Sequence, residues 1–376
     1  MITNWQNRTL WTGDNLDIMR GMNSQSVDLI YLDPPFNSNR DYAAPIGSEA
    51  AGAAFKDTWT LDDVDQAWHG EVADREPALY AIINAAGMAH SKGMKSYLIM
   101  MAVRLLEMKR LLKETGSIYL HCDPTASHYL KMLMDSVLGR NGFVSEIVWK
   151  RTAAHSAKKG WGPVHDTILF YGGPEYRWNR SYQPYDPQYV ENFYRHRDDK
   201  GRYRIGDLTA AGPRNGESGT PWRGIDTGSR HWAPSRSFPG GETLPTSTHA
   251  ALDALDAMGR IHWPKGGSKP GFKRYLHEMP GSAVQDVVTD ISPISHAAKE
   301  KTGYPTQKPV ALLDRIIRAS SNPDDVILDP FCGCATALVA ADRLDRQWVG
   351  IDLSELAAKL VLKRLRDDRG PLFDSV

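Results

Sequence analysis

The chain has 376 residues, of which 41% are hydrophobic and 24% are charged, so it can form one large domain or two ordinary ones. Its 45 Lys and Arg residues balance its 45 Asp and Glu residues, which excludes a charge field over the whole chain and leaves only local patches. Three cysteines are too few for a disulfide scaffold, and no apolar stretch reaches the length of a membrane span. Since the N-terminus lacks the pattern of a signal peptide, the sequence predicts a cytoplasmic protein that does not engage membranes.

The first part of the chain alternates short apolar runs with an amphipathic helix. Residues 27–32 form an apolar run that stops at a proline pair, which predicts a buried strand followed by a rigid loop. Between residues 98 and 114 apolar side chains repeat every three or four positions, and Gly116 stands where a helix cap is expected. The next predicted elements are a strand at 117–121, a helix at 127–138 and strands at 146–150 and 167–171. This alternation predicts parallel strands joined by crossover helices, as in a doubly wound α/β fold.

The character of the sequence changes between about residues 172 and 300, where glycine, proline, arginine and aromatic residues crowd together. Residues 147–240 contain fifteen Lys and Arg against nine Asp and Glu, a local basic excess on a neutral chain. Five tryptophans fall in the same part of the chain: Trp161, Trp178, Trp222, Trp232 and Trp263. Basic and aromatic content together is typical of nucleic-acid contact, although an irregular domain with solvated arginines has the same composition.

The α/β pattern returns after residue 303. The elements predicted there are a helix at 309–320, a strand at 325–329, a helix at 335–344 and a strand at 347–351. Because the same signal occurs at both ends of the chain, one continuous sheet with an inserted middle segment explains the pattern better than three separate domains. We therefore expect an α/β, doubly wound Rossmann-like sheet interrupted by an irregular region.

Two acids at strand ends indicate a nucleoside site in the C-terminal part. Asp329 ends one predicted strand, which turns through Gly333 into a helix, and Asp352 ends the next strand. In doubly wound sheets ligands lie beyond the carboxyl ends of strands, where a second-strand acid can bind ribose hydroxyls. An ordinary strand, turn and helix would show the same pattern. Cys332 and Cys334 are interpreted as packing residues, and no metal is expected.

The tetrapeptide Asp33-Pro34-Pro35-Phe36 follows the predicted strand at 27–32. Its two prolines fix the backbone, so the Asp33 carboxylate and the Pro34 carbonyl form adjacent hydrogen-bond acceptors. Phe36 offers a flat face beside them. Two acceptors and an aromatic ring suit an exocyclic amino group on a planar base, whereas the alternative is a rigid turn with an aromatic residue packed inward.

These motifs resemble those of the bacterial DNA amino-methyltransferases that methylate adenine N6 or cytosine N4, in the permuted order of the beta group. Gly13-Asp14 fits the opening motif, and Asp33–Phe36 fits the catalytic motif. Residues 304–309 (YPTQKP) resemble the helix entrance beside the cofactor, and 329–336 (DPFCGCAT) resemble the cofactor loop. Ala335 departs from the family, which usually has a second glycine there. If this position needs a positive φ, alanine costs about 1 kcal/mol.

The resemblance implies a site-specific, S-adenosylmethionine-dependent DNA methyltransferase that flips its target base out of the duplex. It divides the chain into a catalytic half (1–172), a target-recognition region (173–302) and a cofactor-binding half (303–376). The implied catalytic residues are Asp33, Pro34, Pro35 and Phe36. The implied cofactor-binding residues are Asp14, Asp33, Thr306, Lys308, Asp329, Phe331, Gly333, Thr336 and Asp352. The basic residues expected to contact DNA are Arg151, Lys158, Arg214, Arg223, Arg230 and Arg236.

The resemblance also bears on the target base, on an alternative function and on the partners. Adenine N6 is favoured as the target because cytosine-N4 enzymes usually begin the catalytic motif with serine, although both bases present the same amino geometry. A DNA-binding relative with weakened catalysis is the alternative that Ala335 supports. The resemblance further implies double-stranded DNA, a cognate restriction endonuclease and a second copy of the chain as partners, in the cytoplasm of a bacterium or phage and associated with its nucleoid.

Overall fold

A computed structural model describes residues 3–35, 40–43, 54–57, 66–154, 159–265, 269–295 and 297–369. The first elements in chain order are β1 (Thr9–Thr12), α1 (Asn15–Gly21), β2 (Val27–Leu32), β3 (Arg40–Ala43), β4 (Ala54–Asp57), α2 (Gln66–Arg75), α3 (Pro77–Ala89), α4 (Lys92–Leu111), β5 (Leu112–Cys122), α5 (Ser127–Leu138), β6 (Phe143–Lys150) and β7 (His165–Gly172). The middle elements are β8 (Tyr182–Gln183), α6 (Pro187–Phe193), β9 (His196–Asp198), β10 (Gly201–Gly206), β11 (Thr209–Ala211), β12 (Arg230–Trp232), α7 (Thr248–Ala257), β13 (Ile261–His262), β14 (Gly271–Tyr275) and β15 (Ser282–Ala283). The last elements are β16 (Val287–Val288), α8 (Val310–Ser320), β17 (Val326–Asp329), α9 (Thr336–Arg343), β18 (Gln347–Asp352) and α10 (Glu355–Arg369).

The chain forms two compact units. Residues 1–181 and 285–376 make the first, which we call the sheet unit, and residues 182–284 make the second, which we call the middle unit. No helix in the described ranges has both the length and the apolar character that crossing a bilayer requires.

The sheet unit is built on an eight-stranded sheet in the order β1-β18-β17-β2-β5-β7-β6-β16. Neighbouring strands from β1 to β5 run parallel, and β16 runs parallel to β6. The expectation of parallel strands throughout is wrong at β7, which pairs antiparallel with both β5 and β6. The reason is that the described residues between β6 and β7 form no crossover helix, and the chain reverses between these strands.

Helices cover both faces of this sheet, as in a Rossmann-like α/β fold. Along β2, Ile30 and Leu32 pack into a core with residues of α1, α3, α4 and α5. Leu29 and Tyr31 of the same strand point the other way, into a core with residues of α8, α9 and α10. Every residue of β2 is buried, which explains why this strand reads as a continuous apolar run rather than an alternating one.

Most of the predicted elements have nearly the predicted bounds, and the exceptions are instructive. The helix expected from residue 98 begins earlier, at Lys92, with Ser91 accepting a hydrogen bond from the backbone N–H of Met94. Gly116 is not a helix cap, because the helix ends at Leu111 and Gly116 lies inside β5. A Cβ there would lie 2.8 Å from the Leu112 side chain and 3.0 Å from the backbone oxygen of Asp28. Glycine is therefore explained by a close approach between neighbouring strands.

In its described residues the middle unit contains short antiparallel strands and two α-helices. Its largest sheet has the order β13-β14-β10-β9, and two further pairs are β11 with β12 and β8 with β15. A separate core, formed in part by Trp222, Trp232, Leu252 and Phe272, packs α7 against these strands. Strands of two to six residues are too short for a clear alternation pattern, which explains why the sequence indicated only an irregular region here.

Candidate active site

Four acidic residues lie at the carboxyl ends of four neighbouring parallel strands. Asp14 follows β1, Asp352 ends β18, Asp329 ends β17 and Asp33 follows β2. The register supports this alignment, because Thr12 pairs with Asp352 and Asp329 pairs with Gly350. The sheet thus brings together acids that the sequence places up to 338 positions apart (352 minus 14).

Asp33 forms an ion pair with Lys308 at this edge. The Lys308 ammonium donates to Asp33 Oδ2 over 2.5 Å and to the Thr306 carbonyl over 3.2 Å. The lysine side chain is 7% exposed and the aspartate side chain 20%. Among the described residues Asp33 Oδ1 has no hydrogen-bond partner, so this oxygen remains available to an outside donor.

The rest of the catalytic tetrapeptide is only partly described. Pro34 is buried and Pro35 is half-buried, while Phe36 lies outside the described residues. Behind Lys308, Gln307 Oε1 accepts from both the backbone N–H and the hydroxyl of Thr302. This local hydrogen bonding holds the turn that delivers Lys308 to Asp33.

The predicted cofactor loop joins β17 to α9 and is held against Asp352. The Gly333 N–H donates to Asp352 Oδ2 over 2.8 Å, and the Ser354 N–H donates to Oδ1 over 2.9 Å. Each carboxylate oxygen therefore keeps a lone pair for a further donor. Burial raises the pKa of Asp352, and the two backbone N–H groups oppose that shift.

Asp329 is the most buried of the four acids. Its Oδ1 accepts the Phe331 N–H over 3.2 Å, and Oδ2 has no hydrogen-bond partner among the described residues. Burial, followed by the nearby carboxylates of Asp33 and Asp352, raises its pKa well above the usual range, against the Phe331 N–H and Lys308. A buried carboxylate that lacks hydrogen-bond donors is stabilised when a cationic or strongly donating group of a ligand binds to it.

The loop itself has a left-handed backbone at two positions. Gly333 has φ +48°, and a Cβ there would lie 3.2 Å from the Tyr304 ring. Ala335, the departure from the expected second glycine, has φ +63° and ψ +30° and is fully buried. The position does need a positive φ, so the strain expected for alanine is present. Thr336 begins α9, and its hydroxyl receives a hydrogen bond from the buried Arg364.

Asp14 is held by a buried arginine that the sequence reading did not single out. Arg104 of α4 donates from Nη2 to both oxygens of Asp14, over 2.8 and 3.1 Å, and from Nε to Asn15 over 2.6 Å. The Asn15 amide in turn donates to the Pro330 carbonyl over 2.7 Å, which ties this turn to the cofactor loop. A signal was present: Arg104 lies three residues after Met101 and four before Met108, on the apolar stripe of the helix.

A second unpredicted group is a chain of buried hydrogen bonds across three neighbouring strands. The Tyr31 hydroxyl lies 2.9 Å from His121 Nδ1, and His121 Nε2 lies 3.1 Å from Asp166 Oδ2. Arg151 Nε lies 2.9 Å from the other oxygen of Asp166. The imidazole pKa is lowered by burial and then by Lys308, against Asp33 and Asp166. This direction favours the neutral imidazole, and the tautomer that fits both contacts donates from Nε2 to Asp166 and accepts at Nδ1 from Tyr31.

The residues expected to contact DNA have varied surroundings. Arg151 forms an ion pair with Asp166 and is 44% exposed, and Lys158 lies outside the described residues. In the middle unit Arg223 pairs with Asp253 and Asp256, and Arg236 donates to the carbonyls of Leu244 and Pro245. Arg230 donates to Thr209 and lies 3.5 Å from Asp207, whereas Arg214 is exposed with no side-chain partner in the described ranges.

Comparisons with known proteins identify the family to which the chain belongs. The DNA methylase family model matches residues 27–363. The chain is 32% identical over 374 residues to the type II methyltransferase M.EcaI of Enterobacter cloacae, covering 98% of this chain and 72% of that one. It is 41% identical over 92 residues to the DNA adenine methyltransferase YhdJ of Escherichia coli, covering 24% and 30% of the two chains. The S-adenosylmethionine complex of TTHA0409 from Thermus thermophilus, named a putative DNA modification methylase, matches with TM-score 0.42 and 15% identity over 96% of this chain and 93% of that one.

Proposed function

This chain belongs to the DNA methylase family and is a DNA methyltransferase that uses S-adenosylmethionine, and we propose that its target is N6 of an adenine flipped out of the duplex. The observation that supports methyl transfer to the amino group of a base is the alignment of Asp14, Asp352, Asp329 and Asp33 on four successive strand ends. Three of these acids suit the cofactor, and the fourth suits the amino group of a base.

The donor groups of the cofactor fit the acids that the sheet presents. Asp352 keeps a lone pair on each oxygen for the ribose hydroxyls, and Asp14 lies beyond it at the next strand end for the adenine amino group. Asp329, with Oδ2 unpaired among the described residues, suits the ammonium group of the methionine part. A side chain at position 333 would crowd the Tyr304 ring. Because glycine has no side chain, the backbone of the loop can approach a ligand closely. Phe331, Thr306 and Thr336 complete the proposed set.

The catalytic residues act by orienting a weak nucleophile. The cofactor supplies an electrophilic methyl group. Asp33 Oδ1 and the Pro34 carbonyl accept the two hydrogens of the target amino group, which directs its nitrogen lone pair at that methyl group. Lys308 holds Asp33 Oδ2 over 2.5 Å, so the carboxylate cannot rotate freely. We assign Phe36, after the rigid Pro34-Pro35 step, to stacking on the flipped base, and positioning accounts for most of the rate.

Adenine is preferred over cytosine for two reasons. The first acceptor of the motif is Asp33 rather than the serine usual in cytosine-N4 enzymes, and one similar protein is named a DNA adenine methyltransferase. The test is to incubate unmethylated duplex DNA with the enzyme and deuterated-methyl S-adenosylmethionine, digest it to nucleosides and identify the labelled product by mass spectrometry. N6-methyl-2′-deoxyadenosine is expected, and labelled N4-methyl-2′-deoxycytidine would contradict the assignment. Asp314→Ala, which removes a surface partner of Arg318, is the control for Asp33→Ala and is expected to give the wild-type product.

The remaining assignments concern organisation and partners. We assign catalysis to residues 1–172, target recognition to 173–302 and cofactor binding to 303–376, with Arg151, Lys158, Arg214, Arg223, Arg230 and Arg236 among the phosphate contacts. A cognate restriction endonuclease fits the type II methyltransferase to which the chain is similar. A homodimer completes the proposal, and light scattering with and without DNA measures it.

A further inference from the structure

Arg104 is unusual because a guanidinium group is costly to bury and this one is only 5% exposed. Burial lowers its pKa, and the carboxylate of Asp14 opposes that shift through its charge and hydrogen bonds. The other partners are Asn15 Oδ1 and the Met100 carbonyl, and the Trp68 ring lies 5.0 Å from the guanidinium carbon. A group with this many partners has a fixed position.

This fixed arginine determines how Asp14 presents its carboxylate. Asp14 Oδ1 accepts from Arg104 and from the Leu16 N–H, both over 2.8 Å, so its lone pairs are used. Oδ2 accepts from Arg104 over 3.1 Å and keeps one lone pair, and the Asp14 side chain is 40% exposed. Only one direction of approach is thus left to an outside donor.

The same arginine fixes the distance between this acceptor and the rest of the site. Arg104 holds the Asn15 side-chain oxygen, and the Asn15 amide nitrogen donates to Pro330, which follows Asp329. The Gly13 N–H donates to the Asp352 carbonyl over 3.0 Å. Asp14 is consequently held in register with the ends of β18 and β17.

We propose that Arg104 is a positioning residue that makes the cofactor pocket selective for a purine bearing a 6-amino group, by presenting one lone pair of Asp14 to that group. The inference rests on the proposed function, in which Asp14 faces the adenine of the cofactor. A fixed carboxylate accepts a hydrogen bond from an amino group and repels the carbonyl oxygen of a 6-oxopurine. Without Arg104 the Asp14 side chain can turn to solvent and loses this discrimination.

The test compares two ligands by titration calorimetry, S-adenosylhomocysteine and its 6-oxo analogue S-inosylhomocysteine. A hydrogen bond to a charged group predicts that the wild-type protein prefers the 6-amino ligand by about tenfold or more. Arg104→Gln is expected to reduce this preference to about threefold or less. Arg104→Lys keeps the positive charge but lacks the bidentate geometry of a guanidinium group, so we expect an intermediate preference. Arg110→Gln is the matched control, since Arg110 lies on the same helix and donates to the Met19 and Met22 carbonyls of the α1 region without touching Asp14.

The outcomes separate this inference from the function on which it rests. An unchanged preference in folded Arg104→Gln, or in Arg104→Lys if the glutamine variant does not fold, overturns the role of Arg104. A wild-type protein that binds both ligands equally also overturns it, while leaving methyl transfer intact. A wild-type protein that binds neither ligand contradicts the proposed cofactor site itself.

Discussion

The sheet unit and the middle unit use their charged residues in opposite ways. At the sheet edge Asp33, Asp329 and Asp352 converge, and each retains acceptor capacity that the described residues do not fill. In the middle unit Arg223, Arg230 and Arg236 donate to acids, a threonine or carbonyls of their own unit. A carboxylate oxygen without a hydrogen-bond partner is available to a ligand. An arginine that already donates to residues of its own unit contributes to the stability of that unit. To bind the phosphates to which we assign them, Arg223, Arg230 and Arg236 would exchange some of these hydrogen bonds for phosphate oxygens, whereas Arg214 would not.

The largest expected effect is at the sheet edge. Asp33→Ala removes a preorganised acceptor, so single-turnover methyl transfer is expected to fall by about 10²- to 10³-fold. Affinity for S-adenosylhomocysteine is expected to change little, because Asp14, Asp329 and Asp352 remain. Thermal melting on the same preparations checks the fold. Near-normal turnover would remove Asp33 from the catalytic role, and a loss accompanied by unfolding would show that Asp33 mainly supports the turn.

The second expected effect concerns acid sensitivity and compares one histidine from each unit. His121 has a lowered pKa, so below about pH 6.5 the unfolded chain binds a proton that the folded protein does not. Stability is expected to fall as the pH decreases from 6.5 towards the folded-state pKa. His262 in the middle unit also has a lowered pKa, from partial burial, His196 and Lys273.

Urea denaturation between pH 5 and 7.5 measures this effect in wild type, His121→Asn and His262→Asn. The His121 variant is expected to lose more of the pH dependence, since its imidazole is completely buried and lies near Lys308. A larger change in the His262 variant would contradict the view that the sheet unit carries the principal acid-sensitive group.

A smaller effect is expected from the arginines of the middle unit. Arg214→Ala should reduce the slope of log affinity against log salt by about 0.9 if this exposed residue contacts one phosphate. Its melting temperature should not change. Arg223→Ala should instead lower the melting temperature, because Asp253 and Asp256 lose their shared partner. Fluorescence anisotropy at several salt concentrations measures the slope for the wild type and for Arg214→Ala. An unchanged slope means that Arg214 faces away from DNA.

The smallest effect is expected at Ala335. Glycine would remove strain of about 1–2 kcal/mol at φ +63°, but it would add about 0.5–1 kcal/mol of unfolded-state entropy and lose a buried methyl group worth about 0.8 kcal/mol. These terms nearly cancel, so Ala335→Gly should change the free energy of unfolding by less than about 1 kcal/mol. Chemical denaturation measures it. A larger gain would show that the natural loop stores strain that the core does not compensate.

The sequence predicted best what depends on short-range patterns. Apolar runs and turn residues predicted three elements: the strand before Asp33, helix α5 and the strand that ends at Asp329. Asp33 and Asp329 lie at the sheet edge as expected. Strand β1 was missed, because its four residues are only partly buried and show no distinctive pattern.

Long-range partners could not be predicted from local patterns. Lys308 was expected only at the cofactor, yet it pairs with Asp33, 275 positions away in the chain. The Tyr31, His121 and Asp166 chain depends on the register of three strands, one of which runs antiparallel. Neither spacing nor periodicity contains that information.

The order of the sheet has a consequence for folding during synthesis. Among the described strands β1 pairs only with β18, and β17 is one of the two that flank β2. These contacts close loops of roughly 300 residues or more. Until residues 326–352 have left the ribosome, the exposed edge of the apolar strand β2 has no partner on that side. Contacts of such sequence separation form slowly, and unpaired apolar strand edges promote aggregation. We therefore expect the nascent chain to depend on chaperones and the denatured protein to refold slowly, because the site combines residues that are far apart in the sequence.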